Sequence, residues 1–139
     1  MPKLPVPEAF IGRNGVQGDK QNEKRFHGGP ERAVCLYSLE RLRALNEEGH
    51  NLSPGSTGEN LLLEGINWDD ITPGVQLQVG EARLEIASYT KPCFKIAASF
   101  HEGEFKRMWQ RHHPGWSRVY ARVLQEGIVK VGDKVKVEA

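Results

Sequence analysis

Two stretches in the second half of the chain alternate apolar and polar residues with a period of two. The first comprises "VQLQV" (75–79) and "ARLEIAS" (82–88), separated by the dipeptide "GE". The second is "GIVKVGDKVKVEA" (127–139), with the dipeptide "GD" in the turn position. Alternation of this kind gives a strand one apolar and one polar face, and a short glycine-containing turn joins antiparallel neighbours. The sequence therefore predicts two β-hairpins.

The other predicted elements are short, and most of them are strands. Ser38 is placed to cap a helix that carries Leu39, Leu42 and Leu45 along one stripe. The remaining elements are a strand over 33–37, a strand at 61–63, a single turn capped by Asn67, a helix over 102–111 and a strand over 117–124. No repeating β–α–β pattern occurs, and neither G-x-G-x-x-G nor a P-loop is present. We expect a mainly β protein, a small β-barrel or closed sheet with a few peripheral α-helices.

Length and charge limit the classes of function. A chain of 139 residues is expected to form a single domain over 1–139, with an irregular segment at 1–14. The formal net charge of +1 gives no indication of binding to nucleic acid or to an anionic membrane. No apolar run approaches the roughly 20 residues that span a bilayer. The N-terminus lacks the pattern of a signal peptide, so we expect a cytoplasmic protein.

The two cysteines, Cys35 and Cys93, differ in their surroundings. A disulfide is unusual in a reducing compartment, and two cysteines this far apart match no zinc motif. Cys35 lies within an apolar strand, where a buried, inert thiol is expected. Cys93 follows Pro92 and lies between two lysines, in "YTKPCFKI". A helix beginning at Pro92 would place Cys93 in its first turn, where free amides and nearby cations favour a thiolate.

Two glycine-rich loops are candidates for ligand binding, each with a plainer alternative. In "RFHGGPERAV", Gly28 and Gly29 allow close approach of the backbone to a ligand, and Arg32 offers a bidentate grip on an anion. A tight turn beside a surface His27 explains the same pattern equally well. In "GSTGEN", hydroxyls and glycines suit phosphate oxygens or the edge of a heterocycle. A flexible surface loop is the alternative there.

Four stretches, in this order, resemble a known family: "GDKQNEKRFHGGPERAVCLYSLE", "GSTGENLLLEGI", "GVQLQVGEARLEIASYTKPCFKI" and "ARVLQEGIVKVGDKVKV". They are similar to the MOSC domain, the C-terminal domain of the molybdenum-cofactor sulfurase, in its small stand-alone bacterial form. The resemblance covers about Gly15 to Val137. It implies a mainly β, barrel-like fold and a site for the molybdenum cofactor, in which molybdenum is held by a pterin dithiolene.

The resemblance also implies roles for particular residues. The family's invariant cysteine falls on Cys93, whose thiolate would be both metal ligand and catalytic residue; a soft thiolate suits such a centre. The implied cofactor contacts are His27, Gly28, Gly29, Arg32, Thr57, Gly58, Glu59, Asn60, Arg118 and Arg122.

Three functions remain open on the sequence. The first is a molybdenum-cofactor component of a reductase for N-hydroxylated small molecules, since bacterial MOSC proteins reduce compounds such as hydroxylaminopurines. With no ferredoxin-like cysteine cluster, it would need a separate electron-donor protein. The second is a sulfur or cofactor carrier that holds a persulfide on Cys93 and is loaded by a cysteine desulfurase. The third is a non-catalytic β-barrel interaction module.

Overall fold

The computed structural model describes residues 8–17, 32–92 and 94–138, and its strands form two sheets. The strands are β1 (Glu8–Gly12), β2 (Gly15–Gln17), β3 (Val34–Ser38), β4 (Leu61–Leu63), β5 (Gln76–Val79), β6 (Ala82–Tyr89), β7 (Val119–Gln125), β8 (Gly127–Lys130) and β9 (Val135–Glu138). A three-stranded sheet has the order β2-β1-β8, and a six-stranded sheet has the order β4-β3-β7-β6-β5-β9. The predicted mainly β, barrel-like class is confirmed.

The first predicted hairpin is confirmed, and the second is wrong. β5 and β6 pair antiparallel, and Val79 opposes Ala82 across the turn. After β8 the chain turns at Gly132, which has a φ of +91°, but β8 and β9 do not pair with each other. β8 pairs with β1 and β9 pairs with β5. The alternation gave both strands correctly, but it carries no information about which partner each strand takes.

The N-terminal part of the chain differs from the expected irregular segment. Residues 8–12 form β1, which lies between β2 and β8 and pairs antiparallel with both. Ile11 is fully buried in the core, whereas Phe10 is half-exposed. A five-residue strand with one buried side chain has a weak sequence pattern, so this strand was not predicted.

A β–α–β crossover places β3 and β4 side by side. β3 is followed by the helix α1 (Leu39–Glu47), and β4 then pairs parallel with β3. Leu42 and Leu45 of α1 are buried, as predicted. The loop between α1 and β4 contains "GSTGEN", so the crossover places that loop at the end of the parallel pair.

Ser38 caps α1, and removing its hydroxyl is expected to destabilise the protein. Its Oγ accepts a hydrogen bond from the amide of Arg41 at 3.1 Å. Ser38→Ala is therefore expected to lower the free energy of unfolding by about 1 kcal/mol in urea denaturation. Ser53→Ala is the control, because Ser53 is exposed and caps no helix. An equal loss in both variants would contradict the capping role.

The predicted α-helix over 102–111 is wrong. The structure has 3₁₀ turns at His101–Gly103 and Phe105–Met108, preceded by a longer one at Phe94–Ser99. Glu102 has a φ of +54° and Gly103 a φ of +71°, and both values are incompatible with a continuous right-handed helix. Met108 in the last of these turns is nevertheless fully buried.

The core lies on one face of the six-stranded sheet. Val119, Ala121 and Val123 of β7 point into it, together with Leu84 and Ile86 of β6. No helix among the described residues is long and apolar enough to cross a membrane.

Candidate functional site

Polar side chains lie on the face of the six-stranded sheet opposite the core. In β7 and the residue before it, Arg118, Tyr120 and Arg122 alternate with the buried apolar residues. Cys35 on β3 and Ser88 on β6 both oppose Tyr120. Because opposed residues in an antiparallel pair point to the same face, these side chains share one surface. The sheet therefore has one apolar face and one face with polar side chains.

The loop before β4 is buried and is held together by the carboxylate of Glu59, which is 4% exposed. One of its oxygens accepts from the hydroxyl and the amide of Thr57, and the other accepts from the amide of Gly55. Gly55 and Gly58 have φ values of +86° and +82°, which favour glycine. The alternative of a flexible surface loop is therefore wrong: residues 55–59 are all buried.

Removing the Glu59 carboxylate is expected to destabilise this loop strongly. Glu59→Ala leaves two amides and one hydroxyl without their acceptor, and each buried unpaired group costs about 1–3 kcal/mol. We expect the free energy of unfolding, measured by chemical denaturation, to fall by about 3 kcal/mol. Glu64→Ala is the control, because Glu64 is exposed and pairs with the exposed Arg43 at 3.6 Å. A loss below about 1 kcal/mol in Glu59→Ala would show that the loop does not depend on the carboxylate.

Arg118 is a buried cation in contact with this loop. Its side chain is 5% exposed, and Nη1 donates to the carbonyl of Thr57. Nε is buried and has no hydrogen-bond partner within the described part of the chain. Thr57 thus joins the two charged groups, since its carbonyl accepts from Arg118 and its hydroxyl donates to Glu59. A buried guanidinium with an unused donor is suited to binding an anion.

Hydrogen bonds connect Arg118 to the end of β6. The amide of Thr90 donates to the carbonyl of Arg118 at 2.9 Å. The hydroxyl of Ser117 lies 3.1 Å from the carbonyl oxygen of Thr90 and 2.6 Å from that of Arg118. Thr90 and Ser117 are 3% and 1% exposed, so these contacts are shielded from water. The chain continues from Thr90 through Lys91 and Pro92 to Cys93.

Asn60 braces β3 at the start of the crossover. Its side-chain oxygen accepts from the amide of Cys35 at 2.7 Å, and its own amide donates to the carbonyl of Cys35 at 2.7 Å. Cys35 is buried in β3, as predicted, and its Sγ lies 4.0 Å from the hydroxyl oxygen of Thr90. The loop and the end of β6 therefore meet across β3 at Cys35.

The two other predicted arginines lie at different places on this face. Arg32, which is exposed, has its guanidinium carbon 5.4 Å from the centre of the Tyr120 ring. Arg122 has Nε 3.2 Å from a carboxylate oxygen of Glu85, which opposes it on β6. Arg32 and Arg122 thus flank Tyr120, whereas Arg118 contacts the buried loop. His27, Gly28, Gly29 and Cys93 lie outside the described residues.

Tyr37 lies near Arg118 and Glu59, and its hydroxyl is a hydrogen-bond donor. Burial raises its pKa, and the nearby cations Arg41, Arg118 and Arg107 oppose this only in part. The neutral hydroxyl donates to the carbonyl of Trp116 at 2.9 Å. This bond fixes the segment that precedes Ser117 and Arg118.

Sequence reasoning missed three residues of the candidate site: Thr90, Ser117 and Tyr120. The alternation in the predicted strand over 117–124 was a usable signal for Tyr120, since it places Tyr120 on the same face as Arg118 and Arg122. Thr90 and Ser117 act through strand-end hydrogen bonds, for which the sequence has no local signal.

Comparison with known proteins gives a consistent picture. A family model described as "MOSC domain" matches residues 23–136. Among curated proteins, the chain is 31% identical to "Uncharacterized protein YflK" of Bacillus subtilis over 137 residues and 30% identical to "Protein YiiM" of Escherichia coli over 144 residues. These alignments cover 97% and 95% of this chain but only 61% and 64% of the relatives. The chain thus spans less than two thirds of their length.

Solved structures agree on the fold. The crystal structure of YiiM from Geobacillus stearothermophilus is 26% identical, with a TM-score of 0.75 and coverage of 99% of this chain and 64% of that one. YiiM from Escherichia coli is 22% identical with a TM-score of 0.72, over 98% of this chain and 65% of that chain. At this lower identity the likeness supports the fold alone.

Proposed function

Because the chain belongs to the MOSC domain family, we propose that it binds the molybdenum cofactor and serves as a component of a reductase for N-hydroxylated small molecules. In this proposal Cys93 is the thiolate ligand of the metal. A soft thiolate suits a molybdenum centre, and the cations Lys91 and Lys95 in the sequence favour the ionised thiol. Pro92, directly before Cys93, is buried.

The observation that carries the proposal is the buried guanidinium of Arg118. The pterin part of the cofactor ends in phosphate, and the buried Nε of Arg118 has no hydrogen-bond partner in the part of the chain that the structure describes. A charged donor of this kind binds phosphate more strongly than an exposed one. Hydrogen bonds link Arg118 to Thr90, three residues before Cys93 in the chain. The residues present therefore fit an anionic cofactor that a thiolate anchors at one end.

The other residues divide into anion contacts and positioning residues. We assign Arg32 and Arg122 to further contacts with the cofactor, since both lie on the polar face beside Tyr120. Glu59 and Asn60 act through the backbone, because their side-chain oxygens accept from loop and strand amides. Thr57 and Gly58 shape the loop against Arg118. His27, Gly28 and Gly29 keep the contact role that the family resemblance implies.

The cofactor, when bound, supplies the redox chemistry, and the protein supplies ligation and orientation. Reduction of an N–OH group to N–H consumes an electron pair and two protons and releases water. The electrons require a separate donor protein.

Metal analysis tests the proposal. The protein is produced in a host that makes the molybdenum cofactor and in an otherwise identical host that cannot. We expect about one molybdenum and one pterin per chain from the first host only, by elemental analysis and pterin fluorescence. Metal-free protein that also fails to take up added cofactor would overturn the proposal. A persulfide mass on Cys93 after incubation with a cysteine desulfurase, in such metal-free protein, would instead establish the sulfur-carrier function.

A further inference from the structure

Two tryptophans of the protein each contact two cations, and they differ in how that positive charge is balanced. Around Trp116, the guanidinium carbons of Arg41 and Arg107 lie 4.8 and 4.2 Å from the centre of the ring. Each of these arginines also pairs with a carboxylate, Arg41 with Asp69 at 3.0 Å and Arg107 with Glu48 at 2.8 Å. The charge around Trp116 is therefore neutralised within the fold.

The other tryptophan, Trp109, also contacts two cations, but no carboxylate accompanies them. The ammonium nitrogen of Lys91 lies 5.2 Å from the centre of the Trp109 ring, and the guanidinium carbon of Arg111 lies 5.7 Å from it. The ring of His112 packs edge-on at 4.7 Å between ring centres. Within the described ranges, neither Lys91 nor Arg111 pairs with an acidic residue. We call these four residues the Trp109 cluster; its positive charge is not balanced by the described part of the chain.

The segments that form the Trp109 cluster are basic over a longer range. Residues 86–101 and 105–125 together hold seven lysines and arginines and no aspartate or glutamate. Because the formal net charge of the whole chain is only +1, the rest of the chain is net acidic. Charge that is segregated in this way attracts and orients a partner of opposite charge. The cluster therefore favours an acidic partner.

The Trp109 cluster resembles a protein interface more than a small-molecule site. Lys91, Arg111 and His112 are exposed and Trp109 is half-buried, so a partner would lie on this surface rather than inside it. Tyr89, which is 36% exposed, precedes Lys91 by two positions. Tryptophan, tyrosine and arginine are the residues that most often dominate the binding energy of protein interfaces.

We propose that the Trp109 cluster is the docking surface for a protein with an acidic surface, and that this partner is the separate electron donor that the proposed reductase needs. The identification of the partner as the donor rests on the proposed function, whereas the recognition of an acidic surface rests on the charges alone. Complexes of electron-transfer proteins bury little surface, and charge complementarity sets their rate of association. Lys91 lies two positions before Cys93, so a donor that contacts Lys91 also lies close in the chain to the proposed metal ligand.

The test measures the binding of small electron carriers of opposite charge to protein from the host that lacks the molybdenum cofactor. A flavodoxin and a plant-type ferredoxin are the acidic probes, and cytochrome c is the basic one. We expect at least one acidic carrier to bind, with a dissociation constant that rises at least about tenfold between about 20 and about 200 mM salt, because salt screens exposed charges. Cytochrome c should not bind. Failure of both acidic carriers to bind, or equal binding of cytochrome c, would overturn the inference.

Charge-reversal variants locate the contact. Lys91→Glu and Arg111→Glu are each expected to weaken binding of the acidic carrier about fivefold, whereas Lys91→Arg should stay within about twofold. Arg43→Glu is the matched control, because Arg43 is also exposed and its reversal changes the net charge by the same amount. We expect less than about a twofold change in this control. An equal loss in Arg43→Glu would show that only the overall charge matters and would refute the docking surface.

Carbodiimide cross-linking identifies the lysine in contact, since this reagent joins an amine to a carboxylate only where the two groups touch. We expect mass spectrometry to find Lys91 joined to the acidic carrier. Lys130 and Lys136 are exposed on β8 and β9 and serve as internal controls. Cross-links at these two lysines without Lys91 would contradict the proposal. Tighter binding of a single-stranded oligonucleotide than of either carrier, lost in Lys91→Glu, would also overturn it and indicate a nucleic-acid surface.

Metal content separates this inference from the proposed function. The wild-type protein is also produced in the cofactor-producing host, and its molybdenum content is measured. Protein that binds an acidic carrier through Lys91 but never acquires molybdenum would overturn the proposed function and leave the acidic docking surface intact. Protein that acquires molybdenum but binds neither acidic carrier would do the reverse.

Discussion

Cys93→Ser is expected to lower the molybdenum content of the purified protein at least about tenfold, because a serine hydroxyl is a hard ligand and stays protonated at neutral pH, whereas a thiolate is soft and ionised. The measurement is elemental analysis of protein from the cofactor-producing host. Serine differs from cysteine by a single atom, so the fold should survive. The circular dichroism spectrum and the midpoint of thermal unfolding check this in the same preparation.

The chain provides a matched control in its other cysteine. Cys35 is 6% exposed in β3, and we expect Cys35→Ser to keep its molybdenum within about twofold while losing some stability, because burying a hydroxyl costs more than burying a thiol. Normal molybdenum in Cys93→Ser would contradict the assignment of the metal ligand. Loss of molybdenum in Cys35→Ser alone would assign the metal ligand to Cys35 on β3, whose side chain shares a face with Tyr120.

The sequence predicted single strands well and their partners less well. The alternation in "VQLQV" and "ARLEIAS" fixed a hairpin because both strands and the turn are adjacent in the chain. β8 and β9 have the same local pattern, yet they join different sheets. The choice is made by distant strands, β1 for β8 and β5 for β9. A local pattern cannot encode partners that lie so far away in sequence.

In the candidate site, too, local features were predicted from the sequence and long-range contacts were not. The loop "GSTGEN" was identified from its glycines and hydroxyls, and the structure places it in contact with Arg118. Its internal role was not predicted, because the three hydrogen bonds to Glu59 depend on the loop closing on itself. Arg118 was a candidate only through family resemblance. Its burial results from the crossover between β3 and β4, which carries the loop to the start of β7.

The buried Arg118 and the half-buried Arg107 differ in what their contacts do. Arg107 donates from Nε and Nη2 to the two carboxylate oxygens of Glu48, at 2.9 and 2.8 Å, and its guanidinium carbon lies 4.2 Å from the centre of the Trp116 ring. These contacts also hold the pKa of Glu48 below its ordinary value. Each of the two guanidinium groups has one buried nitrogen without a hydrogen-bond partner among the described residues, Nη1 in Arg107 and Nε in Arg118. Arg118 differs in that its printed partner is the neutral carbonyl of Thr57 rather than a carboxylate. A buried charge without a full set of partners weakens the fold unless a ligand completes it.

Arg118→Met is therefore expected to separate stability from cofactor binding. Methionine fills much of the same volume without a charge, so we expect the free energy of unfolding without cofactor to change by less than about 1 kcal/mol, or to rise. The molybdenum and pterin content should fall at least about tenfold, because the phosphate loses a charged donor. Arg107→Met should do the opposite, with lower stability and normal metal content, since its partners are Glu48 and Trp116. If Arg118→Met unfolded the protein and Arg107→Met did not, Arg118 would be a structural residue rather than an anchor for the cofactor.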